Sequence, residues 1–134
     1  MSEATPPARG HPPATILHGS EDGFSAVPGT RFEMRENGLQ AATGGAYTAR
    51  IFRAVSGGAV EPAMHWHDAD FQYVYILRGE IEFQLQGGER RTLRAGDAIW
   101  QPGGCLHCVV RVSADLELLE IFSPAEIATI RVKE

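Results

Sequence analysis

Apolar and polar side chains alternate along much of the chain after residue 46. In residues 80–86, for example, Ile81, Phe83 and Leu85 alternate with glutamate and glutamine. Successive side chains on a β-strand point to opposite faces, so this spacing predicts a strand with one buried and one solvated face. Alternation or a short apolar run predicts strands at residues 47–55, 60–67, 71–77, 80–86, 90–93, 98–101, 106–112 and 116–122.

Turns that contain glycine separate most of these segments. About eight short strands at regular spacing are typical of an all-β sandwich or barrel. The one helix signal lies near the C-terminus, where Ser123, Pro124 and Glu126 occupy the N-cap, first and third positions of a helix start. This pattern is a capping box with proline at its favoured place, so it predicts a short C-terminal helix over residues 127–132.

The first forty residues have a different composition. They are rich in proline, alanine and glycine and show no hydrophobic period. Residues 1–40 are therefore predicted to form a flexible or extended N-terminal arm, with a short strand within residues 30–34. Residues 41–134 are predicted to form one β-barrel domain, since a chain of 134 residues has the length of a single domain.

Composition and charge exclude several classes of partner. The formal net charge is −5 and there is no basic run, which argues against nucleic acid or an anionic membrane as a partner. The longest apolar run has five residues, 73–77, so no segment is expected to span a membrane. Without an apolar signal region, a cytoplasmic protein is expected. The Cys105 and Cys108 pair gives only a weak metal or redox signal, because no second ligand pair has that spacing.

Two histidines near the middle of the chain have the spacing of metal ligands. His65 and His67 alternate with Trp66, so on a strand they share one face and lie about 6.6 Å apart along the backbone. If residues 68–71 form a turn, Gln72 lies across the hairpin from His67 and its amide oxygen points to the same place. Imidazole and amide groups together suit a divalent transition metal.

A second histidine-containing stretch, residues 96–107, completes a pattern that resembles the two motifs of the cupin superfamily. The matching positions are Gly58, His65, His67, Gln72 and Gly79 in the first motif, and Gly96, Pro102, Gly104 and His107 in the second.

The resemblance implies a fold and a metal site. The fold is a double-stranded β-helix, or jelly roll, which agrees with the strand count. The site is one divalent transition metal, Zn, Mn, Ni or Fe, held by His65, His67, Gln72 and His107. The chain departs from the family pattern in three ways: Gln72 stands where glutamate is usual, Arg111 stands where asparagine is frequent, and the spacing from Gly58 to His65 is one residue longer.

The glutamine bears on the expected chemistry. Three imidazoles and an amide are neutral, so a divalent metal would keep its full charge, which favours Lewis-acid chemistry over iron redox chemistry. The function expected first is therefore an isomerase-like or lyase-like enzyme that acts on a small polar or carboxylated metabolite. The alternatives are an Fe(II)-dependent dioxygenase and a non-catalytic module that binds a small ligand. Fold alone does not choose among these three.

Other side chains are candidates for the pocket. Glu120 is a carboxylate in an apolar strand, and it is a candidate general base if it faces the cavity; an outer, solvated position is the alternative. Arg50 and Arg111 are candidates for binding a substrate carboxylate, although a surface position is the simpler interpretation of each. Trp100 is a candidate pocket wall.

The apolar pattern of the predicted strand 71–77 also indicates an interface. If Gln72 faces inward, the alternation places Phe71, Tyr73, Tyr75 and Leu77 on the outer face. An apolar face of this size is expected to be covered. A homodimer is the favoured explanation, and packing of the N-terminal segment is the alternative.

Overall fold

The computed structural model describes residues 4, 13–61, 63–127 and 129–132, and within them the chain forms two antiparallel sheets. The predicted all-β jelly roll is confirmed. One single-turn helix, α1, spans Leu39–Ala42, and a 3-10 turn spans Glu21–Gly23. The strands are β1 Ser25–Ala26, β2 Phe32–Glu36, β3 Thr48–Ala54, β4 Gly58–Ala59, β5 His65–His67, β6 Phe71–Arg78, β7 Glu80–Leu85, β8 Arg90–Arg94, β9 Ala98–Pro102, β10 His107–Val112, β11 Glu117–Ser123 and β12 Thr129–Arg131.

The order of the strands interleaves the two halves of the chain. The first sheet has the order β1-β2-β3-β11-β6-β9, and the second has the order β12-β5-β10-β7-β8, with β4 paired to β10. Strand β11 thus lies between β3 and β6, and β10 lies between β5 and β7. This interleaving is the double-stranded β-helix, and it places β6 and β11 in one sheet opposite β5 and β10 in the other.

The inner faces of the two sheets are apolar at one end and polar at the other. Along β6, Gln72, Val74 and Ile76 alternate inward and are all buried. Strand β10 likewise begins with the buried His107 and ends with the buried Val112. The apolar end forms the core, which consists of Val74, Ile76, Ile81, Phe83, Leu93, Val112, Leu116 and Leu118.

The predicted C-terminal helix is wrong, because the segment forms strand β12. Ser123 ends β11 instead of capping a helix, and its hydroxyl donates a hydrogen bond to the Ala46 carbonyl at 2.9 Å. Residues 129–131 pair with β5 along its whole length. A capping signal is local, whereas this segment is rich in β-branched residues and lies beside an open sheet edge, so sheet pairing outweighs the cap.

The region predicted as an arm contributes strands to the first sheet. The short strand expected within residues 30–34 is present as β2, which pairs with β3 from Phe32 to Glu36. Residues 1–3 and 5–12 of the predicted arm lie outside the described residues. The domain boundary at residue 40 stays a prediction. No helix in the described part of the chain has the length and apolar character needed to cross a membrane.

The connection from β6 to β7 gives a test of the fold. Gly79 has φ +73°, and a Cβ there would lie 2.7 Å from Asp115 Oδ1 and 2.8 Å from the Leu116 nitrogen. Gly87 has φ +92°, but its Cβ would meet nothing within 4 Å among the described residues. We expect Gly79→Ala to lower the free energy of unfolding by roughly 2–4 kcal/mol and Gly87→Ala by roughly 1 kcal/mol, measured by denaturant unfolding. Equal losses would contradict the crowding at Gly79.

Candidate metal centre

Three histidines converge at the polar end between the sheets. His65 and His107 are direct partners in the pairing of β5 with β10, and His67 follows on the same face of β5. One ring nitrogen from each of the three lies within 4.8 Å of the other two. The ring centroids are 4.5 Å apart for His65 and His107, 4.9 Å for His65 and His67, and 5.1 Å for His67 and His107. This spacing lets all three imidazoles reach one ion.

Backbone carbonyls orient two of the rings. The Nδ1 of His65 donates to the carbonyl of Ala63 at 2.8 Å, and the Nδ1 of His107 donates to the carbonyl of Cys105 at 2.9 Å. In each ring the proton is thereby placed on Nδ1, which leaves the lone pair on Nε2. A carbonyl that accepts from the opposite ring nitrogen is the usual partner of a metal-binding histidine.

The third ring is held by the C-terminal strand. Thr129 pairs directly with His67, and its Oγ1 lies 3.0 Å from His67 Nδ1. Sequence reasoning missed Thr129 because it assigned this segment to a helix. Strand β12 therefore has a part in the site, since it fixes the orientation of one of the three imidazoles.

Two of the three histidines, His67 and His107, are held in their neutral form. The pKa of His67 is lowered from its ordinary value of 6.5 to about 4, first by burial and then by the charged forms of His107 and His65. Burial also lowers the pKa of His107, against the opposing effect of its bond to the Cys105 carbonyl. Neutral imidazole is the form that binds metal, so these rings are ready for a cation at neutral pH.

Gln72 and Glu120 face the same space from the first sheet. Gln72 is 4% exposed, and its Nε2 donates to Glu120 Oε2 at 3.4 Å. This bond uses the amide nitrogen, so the amide oxygen keeps its lone pairs for another partner. The alternative of an outer, solvated Glu120 is excluded, because this carboxyl lines the cavity.

The carboxyl of Glu120 is unusually basic. Its pKa is raised from 4.5 to about 7, because the effect of burial outweighs the opposite effects of the nearby Arg50 and of the bond from Gln72. Glu120 is only half-buried in terms of surface, because its carboxyl opens onto the cavity. A carboxyl with this pKa changes its protonation state near neutral pH, which suits proton transfer.

Arg50 stands beside the carboxyl on the neighbouring strand. It pairs directly with Glu120 across β3 and β11, and its Nε donates to Glu36 at 3.1 Å. Its guanidinium lies 5.3 Å from the ring centre of Phe122. Arg50 lines the cavity, whereas Arg111, the other candidate arginine, is exposed. Trp100, expected as a pocket wall, is 62% exposed, because it points outward from β9.

These groups share one cavity of about 880 Å³. Its polar end holds the three histidines, Gln72 and Glu120, and its walls include the apolar side chains of Phe32, Phe52, Phe83, Val109 and Phe122. A volume of this order is ordinary for a small-molecule site. The donor set of neutral nitrogens with a nearby amide oxygen fits a divalent transition metal.

The chain is similar to known proteins over its central strands. The family model described as Cupin domain matches residues 52–122, which is more than half of the chain. The pectin degradation protein KdgF of Dickeya dadantii (strain 3937) is 35% identical over 60 residues, 45% of this chain and 54% of that protein. The chain therefore matches only about half the length of this relative.

Solved structures share the fold at low sequence identity. KdgF from Halomonas sp. has a TM-score of 0.67 at 24% identity, covering 84% of this chain and 96% of its own. The polyketide cyclase RemF from Streptomyces resistomycificus has a TM-score of 0.65 at 20% identity, covering 84% and 75%. A predicted oxalate decarboxylase from Thermotoga maritima has a TM-score of 0.66 at 24% identity, covering 82% and 99%. With the matched Cupin domain and its two sheets, the chain belongs to the cupin family.

Proposed function

We propose that this cupin is a metal-dependent enzyme that acts on a small polar or carboxylated metabolite by Lewis-acid chemistry of the isomerase or lyase type. One observation carries the proposal. One ring nitrogen from each of three histidines lies within 4.8 Å of the other two, at the end of a cavity that also contains a carboxyl of raised pKa. A structural site closes around its metal, whereas this cluster opens onto a cavity that admits a substrate.

The proposed metal ligands are His65, His67 and His107 through Nε2, and Gln72 through its amide oxygen. All four are neutral, so a divalent Zn, Mn, Ni or Fe keeps its full charge. When bound, such an ion polarises a carbonyl or hydroxyl oxygen and lowers the pKa of a coordinated water. The bond from Gln72 to Glu120 orients the amide, because it directs the nitrogen toward the carboxylate and away from the cation.

Glu120 is the proposed general base. It lies close to the metal ligand Gln72, and its carboxyl accepts or returns a proton near neutral pH. Arg50, across the sheet, stabilises the ionised form. Apolar walls beside the carboxyl lower the local polarity, which strengthens the interaction of these charges with a ligand. The sequence relative KdgF is named as a pectin degradation protein, which supports a role in the breakdown of a small metabolite.

Metal content and oxygen dependence test this proposal. We expect the wild-type chain, purified without added metal, to hold about one equivalent of Zn, Mn or Ni by elemental mass spectrometry. Turnover of hydroxy acids or keto acids should then be equal in air and under argon, and EDTA should abolish it. Stoichiometric iron with oxygen consumption would favour the dioxygenase, and no metal after reconstitution would contradict the proposal.

We also propose that the chain is a cytoplasmic homodimer that pairs through the outer face of β6 and β9. Trp100 pairs with Tyr73 on this face, and the Tyr73 ring stacks on Phe71 at 6.4 Å. Trp100 is 62% exposed and Leu77 is 43% exposed in the single chain. Contiguous exposed apolar surface of this kind marks an interaction site.

Substitution at the centre of this face tests the dimer. We expect wild type to elute with the mass of a dimer and Trp100→Lys to shift it to a monomer, because a buried ammonium would oppose pairing. Size-exclusion chromatography with light scattering measures the mass. Gln86→Lys, at an exposed turn, adds the same charge away from the face and should leave the dimer intact. A monomeric wild type would disprove the homodimer.

A further inference from the structure

One buried side chain in the cavity has no hydrogen-bond partner. Gln101 lies on β9 and is 3% exposed. Among the described residues, neither its Nε2 nor its Oε1 has a hydrogen-bond partner. Gln101 also lines the cavity that holds the three histidines. Its carboxamide therefore holds one unmet acceptor and one unmet donor group at the wall of that space.

The inward position of Gln101 follows from the strand pattern. On β9, Ile99 and Gln101 face inward, while the exposed Trp100 and Pro102 face outward. An apolar side chain of the same length would fill this position without desolvating an amide. Buried polar groups almost always have partners, so an unpaired one in a cavity indicates a partner that the folded chain does not itself supply.

The neighbours of Gln101 place it beside the proposed reaction centre. Gln101 pairs directly with Gln72 across β9 and β6, and Gln72 donates in turn to Glu120. The first sheet therefore carries a polar cluster of Gln101, Gln72 and Glu120 opposite the histidines of the second sheet. A ligand that contacts both Glu120 and the histidines therefore lies next to Gln101.

We propose that Gln101 is a recognition residue that binds a pair of adjacent hydroxyl groups on the ligand. In this arrangement Nε2–H donates to one hydroxyl oxygen, and the neighbouring hydroxyl donates to Oε1. The proposal rests on the proposed function only in placing the ligand in this cavity; it requires neither a particular metal nor a particular reaction.

The chemistry of the carboxamide selects this class of ligand group. A carboxylate offers only acceptors, so it would satisfy Nε2 and leave Oε1 unpaired. An ammonium offers only donors and would leave Nε2 unpaired. A hydroxyl group both donates and accepts, so two adjacent hydroxyls satisfy both ends of the carboxamide at once. A site built to bond a hydroxyl rejects the analogue that lacks it, because its own polar groups are then left unpaired.

A pair of neutral probes tests the proposal on the full chain. Side-chain amide signals of ¹⁵N-labelled protein are recorded by NMR, and the pair of signals missing from Gln101→Met is assigned to Gln101. Titration with cis-cyclohexane-1,2-diol should shift these signals, and the diol should bind about tenfold more tightly than cyclohexanol, the ratio expected for one net hydrogen bond. In Gln101→Met the two probes should bind equally.

A matched variant separates recognition from structure. Gln84→Met makes the same change on β7 next to the cavity-lining Phe83, where alternation points the side chain away from the cavity. It should keep the tenfold preference. The melting temperature of ligand-free Gln101→Met should rise by about 2–6 °C, because the variant no longer buries an unpaired amide.

Several outcomes would overturn the inference. These are equal binding of the two probes by wild type, an unchanged preference in Gln101→Met, and a fall in the melting temperature of Gln101→Met. All titrations are repeated after EDTA. A preference that survives in Gln101→Met but disappears with EDTA would assign hydroxyl recognition to the metal, which overturns the role of Gln101 and leaves the proposed function standing. If wild type binds no metal but still prefers the diol, and Gln101→Met loses that preference, the role of Gln101 stands and the proposed function is overturned.

Discussion

The His107→Ala variant is expected to be purified with less than about a tenth of the metal that the wild-type chain carries. Loss of a group that merely orients a metal ligand lowers affinity by about 10–100-fold, and loss of a ligand itself costs more. His107 is the most buried of the three histidines, at 4% exposure, and its ring is held by the carbonyl of Cys105. Its removal leaves His65 and His67 as the remaining imidazoles of the cluster. Elemental mass spectrometry on protein purified in parallel measures the effect.

The control for this prediction is another histidine of the same chain. His18 is exposed and stands outside the cluster, so His18→Ala should keep the wild-type metal content. Circular dichroism of both variants checks that the sheets remain folded. A folded His107→Ala with undiminished metal would place the ion away from the three histidines, and it would remove the basis of the proposed chemistry.

Alternation along the chain predicted most of the strands of the barrel, but not β1, β4 or β12 and not the order of the strands. Strands β6 and β7 match the predicted segments closely, because each carries its apolar side chains at every second position. The position of β11 between β3 and β6 depends on contacts between residues far apart in sequence, which no local pattern records. The C-terminal error has the same origin: Ser123 and Pro124 give a strong local signal, yet the open edge of β5 determines the structure of the segment that follows.

The candidate site was predictable to the extent that its residues have fixed spacings. His65 and His67 follow from a period of two, and His107 and Gln72 follow from the resemblance to cupin motifs. The inward position of Glu120 remained one of two alternatives until the pairing of β11 with β6 placed it in the cavity. Gln101 could have been found, since it alternates with Ile99, but its lack of a partner is a property of the folded chain alone.

The Glu120→Gln variant is expected to lose about 10²–10³-fold in kcat while it keeps its metal, because general acid–base groups contribute on this scale. Glutamine has the shape of the carboxyl and can keep a contact with Gln72, but it cannot take up a proton. Glu117→Gln, the same change on the same strand, should leave kcat close to wild type. A Glu120→Gln variant with wild-type kcat would exclude Glu120 as the base, whereas loss of metal together with kcat would show that it only supports Gln72.

The same variant has a second expected effect, on stability, that does not depend on activity. Because burial raises the pKa of Glu120 from 4.5 to about 7, the folded metal-free chain retains a proton that the unfolded chain releases. The resulting stabilisation is full below pH 4.5 and is lost as the pH rises through 7. Glu120→Gln has no such loss. Between pH 5 and pH 8 its free energy of unfolding should therefore rise by roughly 1–3 kcal/mol relative to that of wild type. The gain is smaller than the whole pKa shift would give, because cavity water screens the carboxyl. Denaturant unfolding of both proteins in EDTA measures the difference. A constant difference across this range would mean that the carboxyl is already ionised in the folded chain, and Glu120 would then act as an electrostatic partner of the site and not as its base.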